Sequence, residues 1–122
     1  LSTVLTNQGS QLQLAGDLND AEQKFIDAIL VFPNNKNSYN GLGVNLKLQG
    51  DTAGALTFFK KALKIDPEFA IAHMTIGIVL FENKNYEQSA FHFQEAVRLD
   101  PSNELAKKNL EKTRSLKNTL SP

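Results

Sequence analysis

Pro33, Pro67 and Pro101 stand at a constant interval of 34 residues, and that interval constrains this chain more than any other feature. The same register holds Gly9, Gly43 and Gly77, then Phe25, Phe59 and Phe93, then Ala28, Ala62 and Ala96. Leu12, Leu46 and Leu80 form a further column, and Ala21, Ala55 and Ser89 a small-residue one. A fixed period of this length belongs to chains that use one supersecondary unit repeatedly and stack it. The units are 2–35, 36–69 and 70–103, with 104–120 left over.

The spacing inside each unit is helical twice. Leu42, Gly43 and Leu46 share one face of a first helix, and Ala55, Phe59, Ala62 and Leu63 share one face of a second. Small residues let two helical backbones approach, and the phenylalanine fills the space between neighbouring hairpins. The punctuation agrees. Gly16-Asp17 and Gly50-Asp51 place a left-handed glycine after the first helix and an N-cap before the second. The third unit has Lys84-Asn85 there, so a slightly strained or different turn is expected. Each second helix ends ahead of a proline, because proline disfavours helix in the residue before it.

Composition removes several alternatives. The chain has 122 residues, room for one domain or one short array, and its formal net charge is zero. Neutrality gives no reason to expect nucleic acid or an acidic membrane as the main partner. With no cysteine there is neither a disulfide nor a thiolate metal site. The longest apolar run, 76–81, falls far short of the roughly 20 residues that cross a bilayer. No signal peptide is visible. The chain starts at Leu1 and not at Met, which reads as an excised region of something longer. The compartment stays open, with the cytoplasm as the expectation.

Tyr39-x-x-Leu42-Gly43-x-x-Leu46, then Ala55-x-x-x-Phe59-x-x-Ala62, then Pro67, resembles the tetratricopeptide repeat, and the pattern recurs three times over residues 2–103. Gln8, Leu5, His73, Thr52 and Ser89 depart from it. The resemblance implies an all-α, right-handed superhelical solenoid of three helix–turn–helix repeats. Residues 104–120 lack the repeat's glycine, since Glu111 stands there. Ala106, Leu110, Thr113, Leu116 and Leu120 make one narrow apolar stripe on an otherwise polar segment, as in the closing helix that covers a solenoid's last face.

The resemblance further implies a binding scaffold, with a partner protein or peptide lying in a concave groove lined by the first helix of each unit. On that reading the outward residues are Thr3, Thr6, Asn7, Ser10 and Gln13 in the first unit, and Asn37, Asn40, Val44 and Lys47 in the second. Ile71, Met74, Thr75, Ile78 and Phe81 follow in the third, so the groove grades from uncharged polar to apolar. Asn7, Ser10, Asn37, Asn40, Val44, Ile71, Met74, Ile78 and Phe81 are the partner-binding candidates. Family members that clamp an acidic chaperone C-terminus place Lys, Asn and Arg at positions held here by Thr6, Ser10, Gly41, Ile71 and Thr75. None is charged, so that clamp is not expected. An asparagine ladder is not expected either, since only Asn7 matches it. The apolar stripe Ile71–Met74–Ile78–Phe81 has two readings. It is an anchor for a partner segment, or it is already covered, by helix 104–120, by a second copy or by residues beyond this chain.

No reaction chemistry stands out. His73 and His92 have no Asp, Glu or Cys at ligand spacing, so neither a metal site nor a cofactor is expected, and both histidines read as packing or surface residues. No serine has a base at useful spacing, and Gly41-Leu42-Gly43 is neither a dinucleotide loop nor a P-loop. Lys107, Lys108, Lys112, Arg114 and Lys117 alternate with Glu104 and Glu111 and lack interleaved aromatics, which reads as a solvated face and not a nucleic-acid surface. The chain is therefore expected to be no enzyme and to bind a protein or peptide, without membrane insertion. The alternatives are self-assembly through the apolar stripe or the array ends, and the repeat segment of a larger enzyme.

Overall fold

A computed structural model describes residues 1–120, with Leu120 through its backbone only. Seven α-helices follow one another: α1 Ser2–Leu14, α2 Leu18–Val31, α3 Lys36–Leu48, α4 Thr52–Ile65, α5 Ala70–Glu82, α6 Tyr86–Leu99 and α7 Glu104–Leu120. No strand occurs among the described residues. The side chain of Leu120, expected on the apolar stripe of α7, lies outside them.

The chain divides into two compact units, Leu1–Pro67 and the part from Glu68 onward. In the first, α1 packs on α2 and α3 on α4, and α3 also lies against α1 and α2. Its centre is Phe25, fully buried between two helical backbones. A Cβ on Gly9 of α1 would stand 2.7 Å from the Phe25 ring, and one on Gly41 of α3 would stand 2.5 Å from it. Real carbon contacts do not come that close, so both helices approach the ring only because they lack a side chain there. Gly43 and Phe59 meet in the same way in the second hairpin, and Gly77 and Phe93 in the second unit.

The second unit has its own core, where Met74, Ala90, Phe93 and Ala96 of α5 and α6 pack with Ala106 and Leu110 of α7. Thr113 is buried too, its hydroxyl donating to the Asn109 carbonyl at 2.6 Å. The Asn103 side chain caps α7 by accepting from the Ala106 amide at 3.0 Å.

The turns inside the hairpins share one closing pattern. Asp17, Asp51 and Asn85 each donate a backbone N–H five residues back, to Leu12, Leu46 and Leu80. That bond needs a left-handed residue just before it. Gly16 and Gly50 supply it at φ +87° and +86°. In the third hairpin Lys84 is forced to φ +63°, which is the strained turn the missing glycine foretold. A left-handed lysine costs roughly 1–2 kcal/mol. Lys84→Gly is expected to raise stability by about 1 kcal/mol, read as a higher urea midpoint with an unchanged slope. Capping follows the sequence reading less closely. Asp51 accepts from the Gly54 amide at 2.9 Å, whereas Asp17 and Asn85 make no side-chain cap. Each second helix ends in a residue that has left the helical region before proline: Phe32 at φ −140°, Asp66 at φ −139° and Asp100 at φ −140°.

Candidate partner-binding surface

At 3.6 residues per turn, Thr3, Asn7 and Ser10 share one side of α1. All three are exposed. Thr6 and Gln13, expected beside them, lie about 80° further round the helix and turn towards α3. Thr6 is buried, its hydroxyl bonded to that of Ser38 at 2.8 Å. Asn35 donates to the Ser2 and Thr6 hydroxyls at 2.7 and 2.9 Å, while its Oδ1 accepts from the Ser38 amide. Gln13 donates to the Gly41 carbonyl at 3.0 Å and to Asn45 Oδ1. Asn45, only 1% exposed, donates in turn to the Leu18 carbonyl at 3.0 Å. Two buried polar clusters therefore clamp α1 to α3. Among the described residues no buried side-chain polar atom is left without a partner.

That clamp sets the exposed residues of α1 beside those of α3. Asn37 is exposed, and Asn40 and Val44 are half-buried. Asn7, Ser10, Asn37, Asn40 and Val44 thus belong to two adjoining helices of the first unit. They form an amide- and hydroxyl-rich face, and half-buried Lys47, one turn beyond Val44, brings a positive charge to its edge.

The apolar stripe of α5 is different. Ile71 is 55% exposed. Met74, expected on the open face, is 9% exposed and sits inside the core of the second unit. Ile78 and Phe81 are partly buried against the same core. Phe81 also meets the Tyr86 ring edge-on at 5.4 Å and has the Lys112 ammonium 5.2 Å from its centroid. The reason is α7, whose Ala106 and Leu110 complete the cluster around Met74. Ile71 is what the second unit leaves open of the four.

His73 and His92 come together across α5 and α6, Nδ1 to Nδ1 at 3.1 Å. They occupy the positions at which the second hairpin stacks Tyr39 on Phe58, and their bond requires one Nδ1 protonated and the other bare. Among the described residues no three His, Cys, Asp or Glu side chains gather where a metal ion would be held. None of the described helices is long and apolar enough to cross a membrane. On α7, Glu104 pairs with Lys107 at 3.3 Å.

The arrangement as a whole is an all-α helical-repeat solenoid. Two tetratricopeptide repeat family models match it, over residues 7–68 and 46–110, each more than half of the chain. The chain belongs to the tetratricopeptide repeat family. Solved structures agree on the fold. The first such domain of human RPAP3 is 17% identical, with a TM-score of 0.88 over 98% of this chain and 94% of its own. The domain of Arabidopsis OM64 is 23% identical, with a TM-score of 0.84 over 93% and 94%. The first repeat domain of Spaghetti (RPAP3), solved with the HSP90 peptide SRMEEVD, is 18% identical, with a TM-score of 0.84 over 93% and 90%. No curated protein sequence matches the chain. The fold is that of a protein-interaction scaffold.

Proposed function

We propose that the chain recruits a segment of another protein on the polar face of α1 and α3, with Asn7, Ser10, Asn37, Asn40 and Val44 as its contacts. We read the array as repeats 2–35, 36–69 and 70–103, closed by helix 104–120. The observation that carries the reading is the pair of buried polar clusters. They hold two helices in fixed register beneath exposed amides and hydroxyls, and a preorganised surface loses less entropy when it binds. Amides both donate and accept, which suits the backbone of an extended segment.

The same residues argue against a clamp for acidic carboxylates. Ser10 and Ile71 bear no charge, Thr6 is engaged with Ser38, and Gly41 lies against Phe25. The peptide SRMEEVD, bound by a structural neighbour, is therefore not expected to be held on this face, and Asn37→Ala is expected to leave its fluorescence-anisotropy titration unchanged.

Arginine substitution tests the face itself. Asn7→Arg and Asn37→Arg are each expected to weaken partner binding at least tenfold while helical content and thermal midpoint stay put, because both positions are exposed. Light-scattering mass across a wide concentration range completes the test. A constant monomer mass fits recruitment of a different protein, whereas a concentration-dependent dimer moves the reading to self-assembly.

A further inference from the structure

The face of α3 opposite Asn37, Asn40 and Val44 opens onto a cavity of about 270 Å³. Tyr39, Leu42 and Leu46 lie within about 60° of one another on the helix, and roughly 160° from the polar group. They make the floor. Ile26, Ile29 and Leu30 of α2 form one wall, Phe58 of α4 the other, and Glu22 closes one end. The apolar residues are not all hidden. Ile26 is exposed, and Leu30 is 75% exposed. Tyr39 stacks on Phe58 with 6.4 Å between ring centroids and 23° between planes, which stiffens one end of the recess.

That end is basic. Tyr39 also lines the adjoining recess, with Pro33, Asn34, Lys61, Lys64 and Ile65. Lys61 holds its ammonium 5.1 Å from the Tyr39 centroid. Lys61 and Lys64 are both exposed on α4, one turn apart. An apolar cavity thus runs into a pair of lysines across a shared tyrosine wall.

Drug-sized ligands occupy roughly 300–1,000 Å³, so this cavity is scaled to one large side chain of a partner and not to a free ligand. Such pockets, rimmed by groups that exclude water, are where anchor residues deliver most of an interface's energy. The charge of the rim selects the rest of the partner.

We infer that this cavity is a second docking site, on the side of α3 away from the polar face, for an acidic peptide segment. One large apolar side chain of that segment seats between Ile26, Ile29, Leu42 and Phe58. The carboxylates that follow it pass Tyr39 to reach Lys61 and Lys64. The site shares no residue with the polar face of α1 and α3.

The test uses the full chain and three fluorescein-labelled 12-residue peptides. One carries a phenylalanine followed by three glutamates in a Gly-Ser background. The second has lysines for the glutamates, and the third has alanine for the phenylalanine. Anisotropy at low salt is expected to show the first binding at least tenfold tighter than either of the others. Leu30→Asp and the double change Lys61→Glu/Lys64→Glu are each expected to weaken it at least tenfold, and Asn37→Arg to leave it unchanged. All of these positions are solvent-facing, and circular dichroism checks that each variant stays folded. Equal binding of the three peptides, no saturable binding, or loss on Asn37→Arg in place of Leu30→Asp overturns the inference. So does saturable binding of decanoate where no peptide binds, which would make the cavity a lipid-tail site.

Discussion

Phe25→Ala removes about 3–5 kcal/mol of stability. The figure sits at the upper end of large-to-small changes because neither wall of the site is able to collapse. The ring lies between the backbones of Gly9 and Gly41, which carry no side chain to move into the space. Small proteins hold only about 5–15 kcal/mol in all, so the variant is expected to unfold at much lower urea and to lose amide-exchange protection in α1–α4 first. A double-mutant cycle isolates the cause. In the native background Gly41→Ala drives a Cβ against the ring, an overpacking cost of about 1–3 kcal/mol, less up to about 1 kcal/mol from the better helix propensity of alanine. In the Phe25→Ala background that clash is gone, so the second substitution is expected to be neutral or stabilising. Additive effects would mean that the ring is not wedged between the glycines.

Ending the chain after Asn103 has the other large effect. α7 supplies Ala106, Leu110 and the buried Thr113 to the second unit. Without them Met74, Phe93 and Ala96 lose a whole side of their packing, and Ile78 and Phe81 lose the cluster they rest on. Leu110→Ala alone is expected to cost about 2–5 kcal/mol, and the truncation more than that. The readout is exchange protection of α5 and α6, expected to collapse while α1–α4 stay protected. Exposed apolar surface should also appear as binding of a hydrophobic dye.

The two results bear on why some of this protein was legible from its residues and some was not. Gly9, Phe25 and Ala28, repeated at a constant interval, are local steric requirements, and a period displays them directly. The helices and turns followed from them, down to the unusual φ of Lys84. The candidate surface was harder, because outward and inward positions on a helix differ by less than a quarter turn. Thr6 and Gln13 look like groove residues by type, yet they face α3, where Ser38 and Asn45 await them. The one signal was Asn45 itself, a polar residue between Val44 and Leu46 where the third unit has Val79. Met74 was misread for a different reason. A stripe of apolar residues does not say what covers it, and here α7 does. The cavity beside α2 escaped notice because Ile26 and Leu30 fall outside the repeating columns, with Lys60 and Gln94, and Lys64 and Arg98, at the same places in the other units.

The polar clusters between α1 and α3 also carry information about order. One period further on, Ser38 becomes Ala72 and Asn45 becomes Val79. A hairpin α1–α2 spliced directly ahead of α5 would present Thr6 and Gln13 to methyl groups and strand their donors in a dry interface, each at a cost of about 1–3 kcal/mol. The hairpins therefore look alike in sequence yet are not interchangeable parts. The order of the first two is written into matched polar contacts, much as a keyed connector accepts its own mate, and an array shuffled at that joint would have to be re-keyed there before it folded.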